Sequence, residues 1–465
     1  MGKRLNLIDR AWLLCHRDTM PLHVAGLAVF AAPHDAGDDF LPRMVADLCA
    51  TRGFARPFNQ RLRQTRFPTL NPVWEVLADE EIDIHYHVRH STLPSAGGDL
   101  GAFVSELHSR PQDLTRPLWE FHVIDGLADG RFAMYMKVHH ALIDGVGLMR
   151  RLTRMVTDDP HDLGCAPVWA IGGRGGGSPA GPSAPRASLG SRIADGVRLT
   201  AEYAAAAASI TREAIRPSNP DAATLFGAPR SLINEQTTPQ RAVATQSFEL
   251  DRFKRVADAL DATVNDVFLA VSSAALRRHL RERGQLPGAS LTAGVPVAMR
   301  DAGDATAGNA FSLLLVKLHT TLAHPLERIS AIAESSRVAK AALDALPKPV
   351  ADNFGVLVLG PFIIELLLRL AGRGRPPCSL IISNVPGPDG PLYFNGAPLQ
   401  SLYPFSLVFD GIALSITALS AGGRFNLGLV GCRDALPQLQ RLAAHHGEAL
   451  TELERTAHLP DRAER

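Results

Sequence analysis

Residues 132–140 read FAMYMKVHH, so an extended chain puts Phe132, Met134, Met136, Val138 and His140 on one face and Tyr135, Lys137 and His139 on the other. That alternation predicts a strand. Residues 121–124 predict a second strand, separated from the first by a turn at Asp129-Gly130. Further along, Phe253, Val256 and Leu260 recur at helical spacing and residues 264–280 predict another helix, while 291–299, 313–318 and 379–383 read as strands. Phe425, Leu427 and Leu429 alternate after a Gly422-Gly423 turn, and a helix over 436–456 leads into a charged tail. Strands and helices intermixed in this way predict an α/β protein of two lobes.

Residues 171–186, IGGRGGGSPAGPSAPR, cannot bury enough surface to offset their ordering entropy, and they read as a linker. Their glycines lack both a G-K-[ST] ending and a complete G-x-G-x-x-G, so a phosphate loop is not expected there. Ile193, Val197, Ala204, Ala208 and Ile215 follow at helical spacing until Pro217, which predicts a long crossover helix. The expected division is an N-terminal lobe over 1–170, linker and crossover over 171–234, a C-terminal lobe over 235–456 and a tail over 457–465. The longest apolar run, 354–370, is interrupted by Pro361, Glu365 and Arg369 and falls short of the ~20 residues that span a bilayer. Two readings stay open for it: a buried helix, or a segment facing lipid.

The chain has 465 residues, 46% hydrophobic and 20% charged, which excludes a disordered or coiled-coil protein. Forty-eight Lys plus Arg balance 47 Asp plus Glu to a formal charge of +1, so no global basic field exists to hold nucleic acid. Cys15, Cys49, Cys165, Cys378 and Cys432 are odd in number and form no C-x-x-C pair, which disfavours a disulfide framework or a thiolate zinc site. Asp9, Arg10, His16, Arg17 and Asp18 break any apolar core that a secretory signal would need, so a cytoplasmic protein is expected.

The candidate chemistry lies at the end of the 132–140 strand. A histidine closing an apolar face is held neutral by desolvation, as a general base near neutral pH must be, although a lone buried histidine is more often a hydrogen-bonded core residue. Here Asp144-Gly145 follows at once and sets a carboxylate in the turn. Asn265 and Asp266 open a predicted helix, and Thr263-x-x-Asp266 has capping-box spacing. Asn265 could orient substrate or polarise a carbonyl, or bond only to local backbone. Ser383 and Asn384 end a strand before Pro386-Gly387-Pro388 and are expected at the lobe junction, unless the segment simply forms a turn. His85 and His87 share a face if 85–87 is a strand, but no carboxylate or cysteine cluster completes a metal signature with them and His140, and no metal is expected. The nearest approach to G-x-S-x-G, 176–180, lacks its last glycine.

His139-His140-Ala141-Leu142-Ile143-Asp144-Gly145 resembles the H-H-x-x-x-D-G motif of chloramphenicol acetyltransferases and peptide-synthetase condensation domains. Nearly the whole chain resembles the bacterial wax ester synthase/acyl-CoA:diacylglycerol acyltransferase family. The resemblance runs through Asp9 and Trp12, His23-Val24, Tyr86-His87-Val88-Arg89, Arg116-Pro117-Leu118-Trp119-Glu120 and Asn265-Asp266. It continues through Val295-Pro296-Val297-Ala298-Met299-Arg300, Gly308-Asn309 and Ser383-Asn384-Val385-Pro386-Gly387-Pro388. The chain departs from the family pattern at His16, where Glu is common, at Gly147-Leu148, where Ser-Gly is usual, and at Ser415 and Ala421, where Asn and Tyr are usual.

The resemblance implies two chloramphenicol-acetyltransferase-like lobes with a tunnel at their junction and His140 near its midpoint. It implies acyl transfer from acyl-CoA to diacylglycerol or a long-chain fatty alcohol, with His140 as base, His139 structural, and Asp144 holding the loop through an arginine, for which Arg300 is the candidate. Gly145, Asn265, Ser383 and Asn384 are the expected substrate-binding positions. No cofactor is implied, since acyl-CoA is a substrate; the expected partners are acyl-CoA, the lipid alcohol and a membrane or lipid-inclusion surface. The alternatives are acylation of another hydroxylated metabolite, condensation from a carrier-bound thioester, or a non-catalytic lipid-binding relative.

Overall fold

The structure is a computed structural model that describes residues 3–5, 7–33, 36–37, 39–66, 69, 72–94, 98–172, 219, 221–298, 311–345 and 354–459. The first part of the chain runs β1 (Lys3–Arg4), α1 (Leu7–Cys15), β2 (His23–Ala31), α2 (Phe40–Ala50), β3 (Gln60–Leu62), β4 (Val73–Val76), α3 (Ile84–His87), β5 (Val88–Thr92), α4 (Leu100–Ser109), β6 (Trp119–Asp125), β7 (Arg131–His139) and α5 (Gly145–Arg154). After residue 240 come β8 (Arg241–Glu249), α6 (Leu250–Ala259), α7 (Val264–Glu282), β9 (Thr292–Ala298), β10 (Phe311–Lys317) and α8 (Pro325–Asp344). Then follow α9 (Phe354–Leu367), β11 (Leu380–Pro386), β12 (Tyr393–Phe394), β13 (Ala397–Phe405), β14 (Leu414–Ala421), β15 (Arg424–Cys432) and α10 (Leu439–Thr456).

Two mixed sheets carry the two lobes. The first has the order β12-β13-β2-β7-β6-β5 and the second β10-β9-β11-β14-β15-β8; β1, β4 and β3 form a small third sheet. The expected boundary between lobes does not follow the strands. Residues 393–405 come from the C-terminal half yet pair with β2, with Phe405 opposite Ala25 and Leu402 opposite Ala28. Residues 168–171 also belong to the first lobe, where Val168, Trp169 and Ile171 are buried in its core. Most of the expected linker and the crossover helix, 173–218, lies outside the described residues.

Face alternation in β7 builds the first core as the sequence predicts. Phe132, Met134, Met136 and Val138 join Val24, Ala28 and Phe30 of β2 beneath Leu148, Met149 and Leu152 of α5. A methyl on Gly26 would collide with the Leu152 side chain, so the bare backbone there lets α5 settle onto β2. On the opposite face, the fully buried Lys137 ammonium donates to the carbonyls of Leu107 and Arg110 at 3.0 and 2.9 Å and so caps the C-terminal end of α4. The second sheet carries α6, α7, α8 and α10, whose Phe253, Phe268, Ile329, Leu442 and Leu450 pack with Phe248 and Phe425.

The lobes meet over a third cluster in which Ala25 and Leu27 of β2 and Val104 and Leu107 of α4 touch Val243 of β8 and Val430 of β15. The backbones approach closely here: a methyl on Gly428 would overlap the Pro404 carbonyl. Arg17 adds an ion pair to the buried Asp410, whose other oxygen accepts from the Thr237 amide and hydroxyl at 2.8 and 2.9 Å.

The apolar run at 354–370 is buried on one side, as the core-helix reading expects, and exposed on the other. Phe362 and Leu366 are buried in the first core, whereas Ile364 is 57% exposed, Leu367 44%, Leu368 63% and Leu370 47%. No single helix among the described residues is long and apolar enough to cross a membrane.

Candidate active site

β7 ends at His139, one residue short of the predicted strand, and His140 opens the turn. Backbone bonds still hold both residues: the His139 amide donates to Leu118 O at 3.0 Å and the His140 amide to Leu22 O at 2.9 Å. The chain then reverses, with the amides of Leu142 and Ile143 donating to His139 O, and enters α5 at Asp144. Asp144 is the N-cap of that helix. Its Oδ1 accepts from the Gly147 amide at 2.6 Å, and Gly147 leaves it room, since a Cβ there would stand 2.8 Å from the same oxygen.

His139 is fully buried, and its protonation follows from its partners. The Ala141 amide can only donate, at 3.1 Å, so His139 Nδ1 accepts. Burial drives the imidazole well below its ordinary pKa, so the ring is neutral with its proton on Nε2. That proton is donated to His16 Nδ1, 3.1 Å away. This is the role the structure gives to His16, one of the positions where the chain departs from the family pattern.

His140 is partly exposed, unlike His139. Its ring lies 5.1 Å from that of Trp12, which stacks on Phe409 at 5.6 Å, and Phe409 in turn meets the edge of Phe362 of α9 at 6.1 Å. His140 Nδ1 is buried with no hydrogen-bond partner among the described residues, as is Trp12 Nε1. Burial lowers the His140 pKa below the usual histidine value, and the nearby Asp144 carboxylate opposes this in part. The imidazole is therefore held neutral with one ring nitrogen uncommitted.

Among the described residues Asp144 makes no ion pair; Arg300, its expected partner, lies outside them. The described cation whose charge reaches Asp144 is Arg151, two turns along α5, whose own pKa is lowered by burial. Gly145 is the first residue of α5, beside Val24. The Thr263/Asp266 capping box forms in both directions, each bond at 3.1 Å. Asn265 stands beside it in the first turn of α7, and no hydrogen bond links it to the motif among the described residues.

The sequence expects Ser383 and Asn384 together at the junction, but strand alternation separates them. In β11, Ile381 and Val385 flank Ser383 and pack with the first core, while Leu380 and Ile382, on the face of Asn384, pack with the helix layer of the second lobe. The same parity in β14 puts Ser415, Thr417, Leu419 and Ala421 toward the first lobe. Ser415 Oγ and Thr417 Oγ1 are both buried and unpartnered among the described residues. Ser415 and Ala421, two of the departures from the family pattern, thus line the face that looks toward the motif-bearing lobe. Thr417 escaped the sequence reading, as did Phe409; their placement depends on strand pairing and a long loop, which carry no local signal.

His85 and His87 do not share a strand face. They belong to the four-residue α3, and His87 is buried with Nδ1 2.7 Å from Trp119 O and its ring stacked on Trp119. Among the described residues no group of three or more His, Cys, Asp or Glu is placed to hold a metal ion.

Known proteins resemble the chain over nearly its whole length. The family model of the wax ester synthase/diacylglycerol acyltransferase catalytic domain matches residues 5–268, and that of the WS/DGAT C-terminal domain matches 307–454. The chain is 38% identical over 451 residues to the probable diacyglycerol O-acyltransferase tgs2 of Mycobacterium tuberculosis, covering 96% of this chain and 97% of that one. It is 34% identical over 452 residues to the O-acyltransferase WSD of Acinetobacter baylyi, covering 96% of each. Among solved structures, the wax ester synthase/diacylglycerol acyltransferase from Marinobacter aquaeolei VT8 superposes with a TM-score of 0.78 at 34% identity, over 98% of this chain and 100% of that one. The first condensation domain of the CDA synthetase, at 17% identity and a TM-score of 0.59 over 98% and 96%, shares the fold. The chain is an O-acyltransferase and belongs to the wax ester synthase/diacylglycerol acyltransferase family.

Proposed function

We propose that the protein transfers a long-chain acyl group from acyl-CoA to the hydroxyl of diacylglycerol or a long-chain fatty alcohol, with His140 as the general base. The observation that carries this reading is the state of His140 itself: partly exposed, neutral through burial, against Trp12, with Nδ1 unpartnered among the described residues. The relatives' names supply the acyl-transfer chemistry, and the geometry supplies a base that fits it.

A thioester is already activated, so the reaction needs neither an enzyme nucleophile nor a cofactor. His140 takes the proton of the acceptor hydroxyl as its oxygen attacks the thioester carbon. The tetrahedral adduct collapses by breaking the carbon–sulfur bond, and the imidazolium returns the proton to the departing thiolate, which leaves as free coenzyme A. A base so placed contributes about 10²–10⁴-fold. His139, committed to Ala141 and His16, holds the turn, and Asp144 starts α5 behind it.

The lipid side of the reading rests on α9. Its buried Phe362 begins the aromatic succession Phe362, Phe409, Trp12, His140, while Ile364, Leu367, Leu368 and Leu370 face outward. An apolar face rooted next to the catalytic histidine suits docking on a membrane or a lipid inclusion, where both substrates partition. Arg17, whose guanidinium reaches Leu366 O at 3.4 Å, ties this helix to the segment that precedes β2.

The test is the purified protein incubated with radiolabelled palmitoyl-CoA and, in separate reactions, diacylglycerol, hexadecanol and water-soluble alcohols, with the lipid products resolved by chromatography. Labelled triacylglycerol or wax ester is the expected product. Label recovered only as fatty acid, or only on a soluble acceptor, would overturn the substrate assignment.

A further inference from the structure

The outer helical layer of the second lobe holds a cavity of about 400 Å³ that the acyl-transfer chemistry does not use. Arg277, Arg278 and Arg281 of α7 line it together with Glu282, Arg328 of α8 and Glu452 of α10. Arg277 and Arg281 stand one turn apart on the same helix face, where like charges repel, and burial and the Arg281 charge both lower the pKa of Arg277.

The carboxylates at the cavity do not balance these cations. Glu282 is committed to Arg441 at 2.8 Å and His445 at 3.2 Å, and Arg278 is paired with Glu448. Arg277, Arg281 and Arg328 are left facing Glu452. Two of the three guanidiniums are held in place by one turn. Arg277 donates to Thr320 O at 2.6 Å and Thr321 O at 3.3 Å, and Arg328 donates to Leu322 O at 2.9 Å and Ala323 O at 3.3 Å. Arg328 is only 4% exposed, and its Nε is buried without a partner among the described residues. A buried cation with a donor unspent is costly unless an anion completes it.

We propose that this cavity binds a phosphorylated small molecule through its phosphate oxygens, at a site apart from the His140 turn. Planar guanidinium forks fixed on carbonyls match the oxygens of a phosphate group, and the volume exceeds what a bare phosphate fills. The group reaches the cavity from one of two sources, a soluble nucleotide or a lipid head group.

The probe is inorganic pyrophosphate, titrated calorimetrically into the full chain. One saturable site is expected, weakened about tenfold by Arg281→Ala, which removes one charge-assisted fork, and abolished by Arg277→Ala with Arg281→Ala. Arg43→Ala, on the remote α2, should change nothing. Both cavity variants alter helix-surface side chains, and an unchanged thermal midpoint without pyrophosphate verifies their fold. Competition separates the sources: adenosine diphosphate displaces pyrophosphate if the ligand is a soluble nucleotide, and phosphatidylglycerol vesicles displace it if the ligand is a lipid. Absence of saturable binding, or binding that the double variant retains, overturns the site.

Discussion

His16 Nδ1 lies 3.1 Å from His139 Nε2 and accepts a hydrogen bond from the proton that the Ala141 amide, by occupying Nδ1, leaves on that nitrogen. A histidine can fill this place only while neutral, because a protonated ring has no lone pair to offer. Removing it in His16→Ala leaves a buried donor unpaired, with a stability loss of about 1–3 kcal/mol. His16→Gln, whose amide oxygen accepts, should recover most of it. Chemical denaturation of both variants reads the difference.

The same pair makes stability pH-dependent. Burial lowers the pKa of His16 from the ordinary 6.5, with Asp18 opposing, and drives His139 well below it. A histidine with a depressed folded pKa binds protons more readily when unfolded, so its contribution is complete above 6.5 and is lost as the pH falls from there toward the folded value. His23 and His108, also pushed well down by burial, act in the same direction. The thermal midpoint should therefore fall from pH 7 to pH 5, with a shallower slope in His16→Gln. A flat profile would mean that these rings take up protons in the folded protein as readily as in the unfolded one.

Asp144 is predicted to act as a helix cap. Asp144→Ala removes the acceptor of the Gly147 amide, at a cost of about 1 kcal/mol, whereas Asp144→Asn keeps it and should keep most of the stability. Equal losses in the two variants would instead identify a buried charge pair, which costs about 3–5 kcal/mol to break.

The fold was legible in the sequence wherever the information is local. Alternation in 132–138 and 425–429 marks strands, and the Thr263-x-x-Asp266 spacing marks a cap that forms as written. Strand partners are not local. Nothing in residues 397–405 says that they leave their own half of the chain to pair with β2. The site divides in the same way. The motif places His139, His140 and Asp144 within one turn, but the split between Ser383 and Asn384, and the junction-facing pair Ser415 and Thr417, follow from which face of the second sheet looks inward. At α9 both sequence readings were incomplete, because a helix with one apolar face in the core and another in solvent has the composition of either.

That outward face predicts a clean separation of variants. Ile364→Ser with Leu368→Ser, both more than half exposed, should lower recovery on sedimented lipid vesicles while leaving the thermal midpoint unchanged. Leu366→Ser, in a fully buried position, should cost stability through lost burial. Unchanged vesicle recovery in the double variant would remove α9 from the docking surface.

The buried Asp410 should be as important to the whole molecule as His139 is to the turn. Asp410→Ala removes the ion-pair partner of Arg17 and the acceptor of the Thr237 amide where the lobes meet, while the Thr237 hydroxyl keeps Thr19 O at 2.9 Å, with an expected loss of about 3 kcal/mol. Equilibrium unfolding measures it, and a near-neutral result would shift the hold between the lobes to the apolar cluster and to the other bonds across the junction, such as those from the Arg241 and Val243 amides to Ser109 Oγ and Ser105 Oγ.

The assignment of His140 as base is tested most directly by the single-turnover acyl-transfer rate of His140→Ala against that of the wild type, at matched fold. The ring is partly exposed and Nδ1 makes no hydrogen bond among the described residues, so its loss should leave the thermal midpoint near normal. The transfer rate should fall by ~10²-fold or more, and His139→Ala should keep more activity than His140→Ala. A folded His140→Ala protein that transfers acyl groups at the wild-type rate would contradict the assignment.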